Sequence, residues 1–597
     1  MMAPYTLPAL ILLLVGAILY RIYTYMLPKP IPGIPYDEPA SRNILGNIPE
    51  LVKMLKETGR SRPFFRRHVE KHQSALTQVF LTPLGLPSLI LADFRETQDI
   101  LLRRFREFDK GDKATTAFKT VIPEHHISMP SKDGRFKGNR ELVRDLMTPG
   151  FLHEVSAPEI HAKTMTLIDL WTLKTSLGRG KPFDAQRDIS DAAMDIINAA
   201  AFGIGDEQST VKHQLDHLRA SSSSTTTTTT TTPSKSERES ESESDIVASF
   251  PSLPQLADIA AVEEVSRYLG EQFKAPFPLL AHKINMLTNG DLRRNFKRKN
   301  EFLHREIDNA VERLKKGNGN GKEKMRSAMD FILSREMNLA EKEGREPVFH
   351  APRIHDELFG YIIGGHDTTS TALAWMIKNM ADYPAIQTNL RTALQKAYPS
   401  NHHHHQPTAS EICKTPIPYL DAVLEESFRF NSPIPVTVRE AVTDTQILGH
   451  VVPAGTAVFF VSDGPSYQSP SIPLPLPLPN STTAEKSTTS TNTHGEWDPQ
   501  DMHLFKPERW LKTPPPSNPE GKEETFDPKA GPLLAFSLGP RMCFGKRLAY
   551  LETRIVLALL VWNFRFEKLP DGLSSREAFD AITTSPVQCF VRLTKIT

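Results

Sequence analysis

The sequence predicts a mainly α-helical protein with a small β region, preceded by one N-terminal transmembrane helix. Helical patterns of apolar residues fill most of the chain, and the longest begins after Pro352 and stops at Pro384. Two short β-like segments, Leu76 to Val79 and Ser88 to Leu91, indicate a hairpin in the N-terminal part. With 39% hydrophobic and 24% charged residues, the chain has the composition of a globular protein with a substantial core.

The N-terminus carries the apolar run that predicts the transmembrane helix. From Tyr5 to Tyr20 the chain has no charged residue, and Arg21 is the first charge. With the residues up to 27, the run reaches the roughly 20 residues that span a bilayer. A cleaved signal peptide is the alternative, but no basic segment precedes the run and no small-residue cleavage site follows it. We therefore expect a membrane anchor at residues 1–27 and a stiff, proline-rich linker at residues 28–40.

Residues 41–597 are expected to form one folded domain that is interrupted by low-complexity inserts. The inserts are rich in Ser, Thr, Pro, Gly or charged residues, which cannot bury a core. They lie near residues 221–245, 315–324, 400–407, 465–494 and 513–524. Four consecutive histidines, 402–405, lie in one of them. Four histidines in a row cannot all point at one ion, so we assign them no metal-binding role.

Charge and cysteine content exclude some functions. The formal net charge is +1, which argues against nucleic acid as a partner because binding its backbone requires a concentrated basic surface. The three cysteines, Cys413, Cys543 and Cys589, are an odd and sparse set that fits a reducing compartment and no disulfide framework. Any one of them is most simply a small buried apolar residue. Cys543 differs from the other two in its neighbours.

The segment Phe536–Gly545 reads Phe-Ser-Leu-Gly-Pro-Arg-Met-Cys-Phe-Gly and runs directly into a helical pattern that begins near Lys546. A thiolate just before a helix N-terminus is stabilised by the helix dipole and by backbone N–H groups, which lower its pKa and favour metal binding. The two glycines let the backbone turn tightly and approach a flat cofactor. The alternative is an ordinary buried cysteine at the start of a helix.

Two further motifs lie on helical patterns upstream. Gly364 and Gly365 lie in the middle of the long helix that begins after Pro352, where each glycine costs about 1 kcal/mol and therefore has a reason to be there. Glu426 and Arg429 are three residues apart and share a helix face. Taken alone, the glycines fit a close helix crossing and the charged pair fits a solvated surface.

Taken together, the motifs resemble those of the cytochrome P450 superfamily. The Cys543 segment matches the family's haem-binding loop, Phe-x-x-Gly-x-Arg-x-Cys-x-Gly, at every fixed position. Glu426 and Arg429 resemble the Glu-x-x-Arg pair of the family, which a later arginine, here Arg509, joins. Asp367 and Thr368 stand where the family has an acid and an alcohol beside dioxygen. The resemblance implies the cytochrome P450 fold with haem b between the Gly364 helix and the Cys543 loop.

The resemblance also implies a role for each site residue. Cys543 is the axial ligand of the haem iron, and a cysteine thiolate in this position promotes O–O cleavage. Thr368 and Asp367 are the catalytic pair that relays protons to bound oxygen. The other cofactor-binding residues are Phe536, which opens the loop, and the propionate partners, which are Arg541, Arg439 and Arg140. Phe136 stands where the family usually has a tryptophan near Arg140, and His366 is interpreted as a packing residue.

The expected activity is that of a monooxygenase that inserts one oxygen atom from O2 into a lipophilic small molecule. Electrons are expected from an NADPH-dependent reductase, because the sequence has no Gly-rich dinucleotide loop or flavin domain. Arg21 and Lys29 favour a catalytic domain in the cytosol, on the endoplasmic reticulum membrane. The Ser/Thr-rich and Pro-rich inserts are typical of filamentous fungal proteins, in which such enzymes often serve secondary metabolite biosynthesis.

Two alternatives remain within this interpretation. The first is a haem-thiolate isomerase, dehydratase or peroxygenase, which needs no reductase. The sequence of such an enzyme would lack the acid and alcohol pair, but Asp367 and Thr368 are both present. A haem-binding sensor without turnover is the alternative from another class of protein. Haem content without NADPH consumption would identify it.

Overall fold

The structure is a computed structural model that describes residues 6–224, 247–317, 325–399, 406–474, 497–512 and 524–596. Most of these residues are helical, as predicted. The helices are α1 Thr6–Met26, α2 Glu38–Ser41, α3 Ile48–Thr58, α4 Pro63–His72, α5 Phe94–Leu102, α6 Asp112–Lys119, α7 Gly134–Leu142, α8 Pro149–Phe151, α9 Ala157–Leu177, α10 Gln186–Phe202, α11 Thr210–Ser224, α12 Ala257–Lys274, α13 Pro278–Thr288, α14 Gly290–Gly317, α15 Ala328–Glu343, α16 Pro352–Asp382, α17 Pro384–Ala397, α18 Ala409–Lys414, α19 Pro418–Phe430 and α20 Lys546–Asn563.

The strands are short. They are β1 Leu76–Val79, β2 Ser88–Leu91, β3 Phe108–Asp109, β4 Phe183–Asp184, β5 Val436–Ala441, β6 Thr445–Ile447, β7 His450–Val452, β8 Ala457–Val461, β9 Leu511–Lys512, β10 Thr525–Phe526, β11 Phe564–Phe566, β12 Ala578–Asp580, β13 Thr584–Pro586, β14 Phe590–Val591 and β15 Leu593–Lys595. The predicted hairpin is confirmed, because β1 and β2 pair antiparallel with Leu76 opposite Leu91.

The described residues divide into two compact units. Unit 1 comprises Met1–Ala114, Pro435–Thr493 and Ser537–Met542. Its main element is a five-stranded sheet in the order β1-β2-β8-β5-β3, in which β2 and β8 run parallel and the other neighbours run antiparallel. Apolar residues of α3, α4 and this sheet, among them Phe64 and Ile90, form its small core. The sheet holds Arg439 in the middle of β5, opposite Val458.

Unit 2 comprises Thr115–Ile434, His494–Phe536 and Cys543–Thr597, and it holds the large helical core. The long helix α16 contributes many of the buried side chains, because apolar residues recur on most of its faces. Helix α20 is similarly buried, with Ile555, Leu557 and Leu559 inaccessible to solvent. Helix α16 matches the predicted bounds to within a few residues, and α20 begins where the sequence predicted it.

The N-terminal helix α1 forms where the anchor was predicted, with exposed apolar side chains that include Leu12 and Leu13. Among the residues whose side chains the structure describes, none of the helices combines the length and the apolar character of a membrane span. The predicted span begins in residues 1–9, which lie outside that set. The prediction of a transmembrane helix is therefore not confirmed.

Most of the predicted inserts lie outside the described residues. This holds for nearly all of residues 221–245, 315–324, 400–407 and 513–524, the four consecutive histidines included. The first part of the segment 465–494 is described as far as residue 474. There Tyr467 is buried and Ser466 Oγ donates a hydrogen bond to Ala92 O at 3.0 Å, so the described part belongs to the packing of unit 1.

Candidate functional site

The Cys543 segment forms a tight loop that ends directly at α20. The backbone N–H of Cys543 donates to Phe536 O at 2.8 Å. Between them, Gly539 has a φ of 71°, and a Cβ at this position would collide with Leu101 O. Ser537 also lies in the left-handed region, with a φ of 55°, a conformation that costs a non-glycine residue of order 1 kcal/mol. The loop conformation therefore depends on the glycine that the sequence motif fixes.

The thiol of Cys543 is exposed, and none of the three cysteines forms a disulfide. Helix α20 starts three residues later, and its N-cap residue, Gly545, offers no side-chain cap. The first N–H groups of a helix have no partner within the helix, so they present a positive potential to a nearby anion. The position suits a cysteine that acts as a thiolate ligand.

Aromatic rings hold the ends of the loop in unit 2. The ring of Phe536 lies 4.9 Å from that of Phe428 and 5.1 Å from that of Tyr550, measured between centroids. Phe544 meets the ring of His126 edge-on at 5.7 Å. Phe536 thus has a packing role beside the loop, which agrees with its fixed place in the motif.

Unit 1 brings two of the predicted arginines together. Arg439 is 2% exposed, and its guanidinium donates to Ser537 Oγ at 3.0 Å and to the carbonyl O of Arg541 at 3.4 Å. Its other acceptors are Thr437 Oγ1 and Val438 O, so all four are neutral oxygens. Burial and the like charge of Arg541 lower the pKa of Arg439 to about 10. A carboxylate bound here would relieve the repulsion between the two cations.

Arg140 lies at the end of α7 in unit 2. Its guanidinium lies over the ring of Phe136, with 5.7 Å between the guanidinium carbon and the ring centroid. The phenylalanine that replaces the usual tryptophan therefore still contacts the arginine, but through its ring face and without an N–H group. The propionate role of Arg140 stays a prediction.

In the middle of α16, the two glycines face different surroundings. Gly364 is exposed, and a Cβ added to it would meet nothing within 4 Å, although the neighbouring Ile363 is buried. A Cβ on Gly365 would instead collide with the side chain of Ile197 on α10. Gly365 is explained by helix packing. Gly364 has no side chain and leaves the helix surface around it uncovered, although most residues of α16 are buried; this surface is called the open strip at Gly364 below.

One turn further along α16, Thr368 bonds back to the helix. Its Oγ1 donates to Gly364 O at 2.5 Å. Hydroxyl bonds of this kind compete with the helical N–H groups and tend to bend the helix. The alcohol of the predicted pair is thus held next to the open strip at Gly364.

The acid of the pair, Asp367, has other partners. Its carboxylate accepts a hydrogen bond from Ser266 Oγ on α12 at 2.7 Å, and His366 Nδ1 lies 3.2 Å from its Oδ1. Among the residues that the structure describes, no hydrogen bond joins Asp367 to Thr368. Sequence reasoning missed Ser266, because nothing in the pattern relates positions about a hundred residues apart.

His366, which was interpreted from the sequence as a packing residue, makes polar contacts through its side chain, and this corrects the interpretation. It is 3% exposed, and its Nε2 lies 3.0 Å from Ser190 Oγ. Burial by itself lowers the pKa of His366, but the interaction with the nearby carboxylate of Asp367 outweighs burial, so the pKa is raised. The imidazole was misread because its neighbours come from α10 and from the adjacent acid, which periodicity does not show.

The predicted contact of Glu426 with Arg429 and Arg509, called the Glu426 triad below, is confirmed. Glu426 is fully buried and accepts from Arg429 Nε and Nη2, both at 2.7 Å. Arg509 Nε donates to the same carboxylate at 3.1 Å, Trp510 Nε1 at 2.9 Å and the backbone N–H of Lys506 at 2.7 Å. One carboxylate therefore joins α19 to the segment around residue 509.

Each unit, taken by itself, offers groups that fit haem. Unit 2 supplies an exposed thiol at an uncapped helix N-terminus and the open strip at Gly364. Unit 1 supplies the cationic pair Arg439 and Arg541, and among the described residues the hydrogen-bond acceptors of the buried Arg439 are neutral oxygens. The carboxylate of Asp109 acts on Arg439 through its charge. A soft anionic ligand suits iron, and arginines suit carboxylates.

Comparison with known proteins gives a consistent result. A family model described as Cytochrome P450 matches residues 246–466 and 496–588. The chain is 34% identical over 593 residues to cytochrome P450 monooxygenase TRI13 of Fusarium sporotrichioides, covering 97% of each chain. It is 33% identical over 587 residues to cytochrome P450 monooxygenase xilC of Penicillium rubens, covering 97% of this chain and 96% of that one.

Two further matches are shorter or more distant. A Dothistroma septosporum protein, the Hps1-dma1 cluster cytochrome P450 monooxygenase cyp3.1, is 39% identical over 311 residues, which cover 51% of this chain and 98% of the relative. A crystal structure of a cytochrome P450 (CYP102L1) superposes with a TM-score of 0.63 at 16% identity, over 95% of this chain and 100% of that chain. At this identity the superposition establishes the fold alone.

Proposed function

Because this chain belongs to the cytochrome P450 family and is a haem-dependent monooxygenase, we propose that it oxidises a lipophilic small molecule in secondary metabolite biosynthesis. The relative whose name assigns it to the Hps1-dma1 cluster supports a place in a biosynthetic series. An apolar substrate is supported by α1, whose exposed apolar side chains suit a membrane surface where such molecules accumulate. An NADPH-dependent reductase is the proposed electron donor.

The observation that carries the proposed site is the exposed Cys543 thiol, held at the N-terminus of α20 by a hydrogen bond from its own N–H to Phe536 O. We assign Cys543 as the residue that would bind the haem iron, because a thiolate is favoured at this end of a helix. When bound, the haem iron activates O2 for insertion of one oxygen atom into a C–H or C=C bond. Arg439 and Arg541 are assigned to the propionate carboxylates.

Thr368 and Asp367 are assigned to proton delivery. The hydroxyl proton of Thr368 points at Gly364 O in the structure, and rotation about χ1 would redirect it to a neighbouring acceptor. Asp367 holds its carboxylate between the hydroxyl of Ser266 and the imidazole of His366, both of which can donate protons. His366 and Ser266 are positioning residues in this proposal, since they act through Asp367.

Replacing Thr368 with alanine tests the proposal. We expect product formation per NADPH consumed to fall on the order of 10²-fold, since a positioned proton donor contributes at least that much, and hydrogen peroxide to rise. Iodosylbenzene supplies an oxygen atom without proton delivery and should restore turnover of the variant. The assay uses the full chain and a panel of terpenes, polyketides and fatty acids, and oxygenated product is measured by mass spectrometry. The NADPH-driven reaction contains a cytochrome P450 reductase and 18O2, whereas total product is measured in the iodosylbenzene reaction, whose oxygen atom comes from that reagent.

The matched control is Thr388→Ala. Thr388 is an exposed threonine on α17 whose Oγ1 makes the same type of bond, to Pro384 O at 2.8 Å. If both variants couple NADPH to product as the parent does, Thr368 delivers no proton. If Thr368→Ala is not restored by iodosylbenzene although its haem spectrum is unchanged, its defect lies elsewhere than in proton delivery.

We also propose that α1 anchors the chain to the endoplasmic reticulum membrane with the catalytic units in the cytosol. Support comes from the uncharged run between Tyr5 and Tyr20 and from the exposed leucines of the helix. The full chain is expected to float with phosphatidylcholine vesicles in a density gradient, and the double variant Leu12→Asp, Leu13→Asp to remain at the bottom. Equal flotation of the two proteins would contradict the anchor.

A further inference from the structure

Three histidines form a cluster in unit 2, and none of them is among the residues assigned to the haem. His304 lies on α14, His350 lies in the segment before α16, and His355 lies in the first turn of α16. The rings of His304 and His350 stack at 4.6 Å between centroids, and the ring of His355 lies 4.4 Å from that of His304. One ring nitrogen from each residue lies within 4.8 Å of the other two.

Hydrogen bonds leave a lone pair on two of the rings. His304 Nδ1 donates to Asn300 O at 2.9 Å, one turn earlier on α14, so its Nε2 is left as an acceptor. His350 Nε2 lies 2.9 Å from Asp308 Oδ1, so donation to this carboxylate leaves Nδ1 as an acceptor. Histidines that bind metal ions usually donate their second N–H to a carbonyl or a carboxylate in this way.

The third ring has a buried atom in need of a partner. His355 Nε2 is inaccessible to solvent and has no hydrogen-bond partner among the residues that the structure describes. A buried nitrogen without a partner costs about 1–3 kcal/mol. A bound cation would satisfy this atom if it is the unprotonated nitrogen of the ring.

A second group in unit 2, His125 and His126 with Glu357, differs from this cluster because it includes a carboxylate. His126 Nδ1 lies 2.8 Å from Glu357 Oε2, and the backbone N–H of His126 donates to Glu357 Oε1 at 2.8 Å. His125 Nε2 lies 3.4 Å from the same carboxylate. In that group the histidine nitrogens and the carboxylate contact one another, so the charge and hydrogen-bonding needs of these atoms are met without an ion.

We propose that His304, His350 and His355 bind one divalent transition-metal ion, with zinc as the best match. Three imidazoles and an open fourth position form a common zinc coordination set. Zn–N bonds of about 2.0–2.1 Å in a tetrahedron place the nitrogens about 3.3 Å apart, so nitrogens that now lie within 4.8 Å of one another must approach by up to about 1.5 Å. The exposed rings of His304 and His350 have room for this movement. The ion would join α14 to the start of α16, the helix that carries Asp367 and Thr368.

The test measures the zinc content per chain and the zinc affinity of the purified full-length holoenzyme. All proteins carry Ser in place of the four histidines 402–405, so that zinc taken up adventitiously by this segment in vitro is not counted. After dialysis against micromolar zinc and gel filtration, we expect about one zinc per chain in this parent, as for a three-histidine site. His350→Ala and His304→Ala should lose that zinc. Asp308→Asn, which keeps all three ligands, should bind zinc 10- to 100-fold more weakly, roughly the effect of losing a hydrogen-bond partner of a ligand.

Controls keep the result interpretable. His213→Ala removes a half-buried histidine of α11 and should leave the zinc content unchanged. The carbon monoxide spectrum and circular dichroism of each variant report whether it is folded. If His350→Ala does not fold, the exposed Asp308 decides the question, because its replacement removes no packed side chain. A parent without zinc, or equal zinc affinity in the parent, Asp308→Asn and His304→Ala, would overturn the proposal.

Discussion

Replacing Glu426 with alanine is expected to lower the free energy of unfolding by about 3–5 kcal/mol, the usual effect of removing one partner of a buried ion pair. The side chains of Glu426 and Arg429 have 0% exposure. Without the carboxylate, Arg429 would keep a charge inside the core, and Arg509 and Trp510 would lose their acceptor. A loss of this size is a large part of the stability of a typical protein, so we also expect poor haem incorporation.

Urea denaturation followed by circular dichroism measures this effect on the purified chain. Glu508→Ala is the matched control, because Glu508 lies in the same segment and accepts a hydrogen bond from Tyr419 at 2.7 Å in an exposed setting. This control should cost less than about 1 kcal/mol, as surface contacts do. A Glu426→Ala variant that unfolds at the same urea concentration as the control would contradict the account of the triad.

Replacing Cys543 with serine is expected to abolish NADPH-dependent oxygenation. A serine hydroxyl does not ionise near neutral pH and is a poor ligand for iron, so the donor that promotes O–O cleavage is lost. Haem content should fall as well, since the axial bond contributes to haem affinity. The measurement is 18O2 incorporation into products, together with haem content per chain.

The other two cysteines provide matched controls. Burial raises the pKa of Cys589 to about 12, and burial also raises the pKa of Cys413. Neither thiol therefore ionises readily near neutral pH, whereas a metal ligand must be a thiolate. Cys413→Ser and Cys589→Ser should keep haem and turnover. Activity that survives in Cys543→Ser but is lost in either control would place the ligand at another cysteine.

The sequence was most informative where the signal is local. The two ends of α16 follow from Pro352 and Pro384, and the start of α20 follows from the helical pattern that begins near Lys546. The β1–β2 hairpin follows from two short apolar segments close in sequence. The Glu426 triad was also predictable, because Glu426 and Arg429 lie one helical turn apart and Arg509 belongs to a fixed motif. These parts of the fold and of the site could therefore be predicted from the sequence motifs alone.

Contacts between distant segments were not predictable. The sheet of unit 1 places β8 beside β2, two strands that are far apart in the sequence, and such short strands do not indicate their partner. Ser266 and Ser190 meet the Asp367 region because α12 and α10 pack there, which periodicity does not specify. The same holds for His304 and His350, whose approach depends on how α14 lies beside the segment before α16.

The carbon monoxide difference spectrum of the dithionite-reduced protein tests the central claim, that Cys543 ligates the haem iron as a thiolate. The account predicts a strongly red-shifted Soret band in the parent, in Cys413→Ser and in Cys589→Ser, and its loss in Cys543→Ser. A band at the position of histidine-ligated haem in the parent, or a red-shifted band that persists in Cys543→Ser, would contradict the assignment and the roles given to its neighbours.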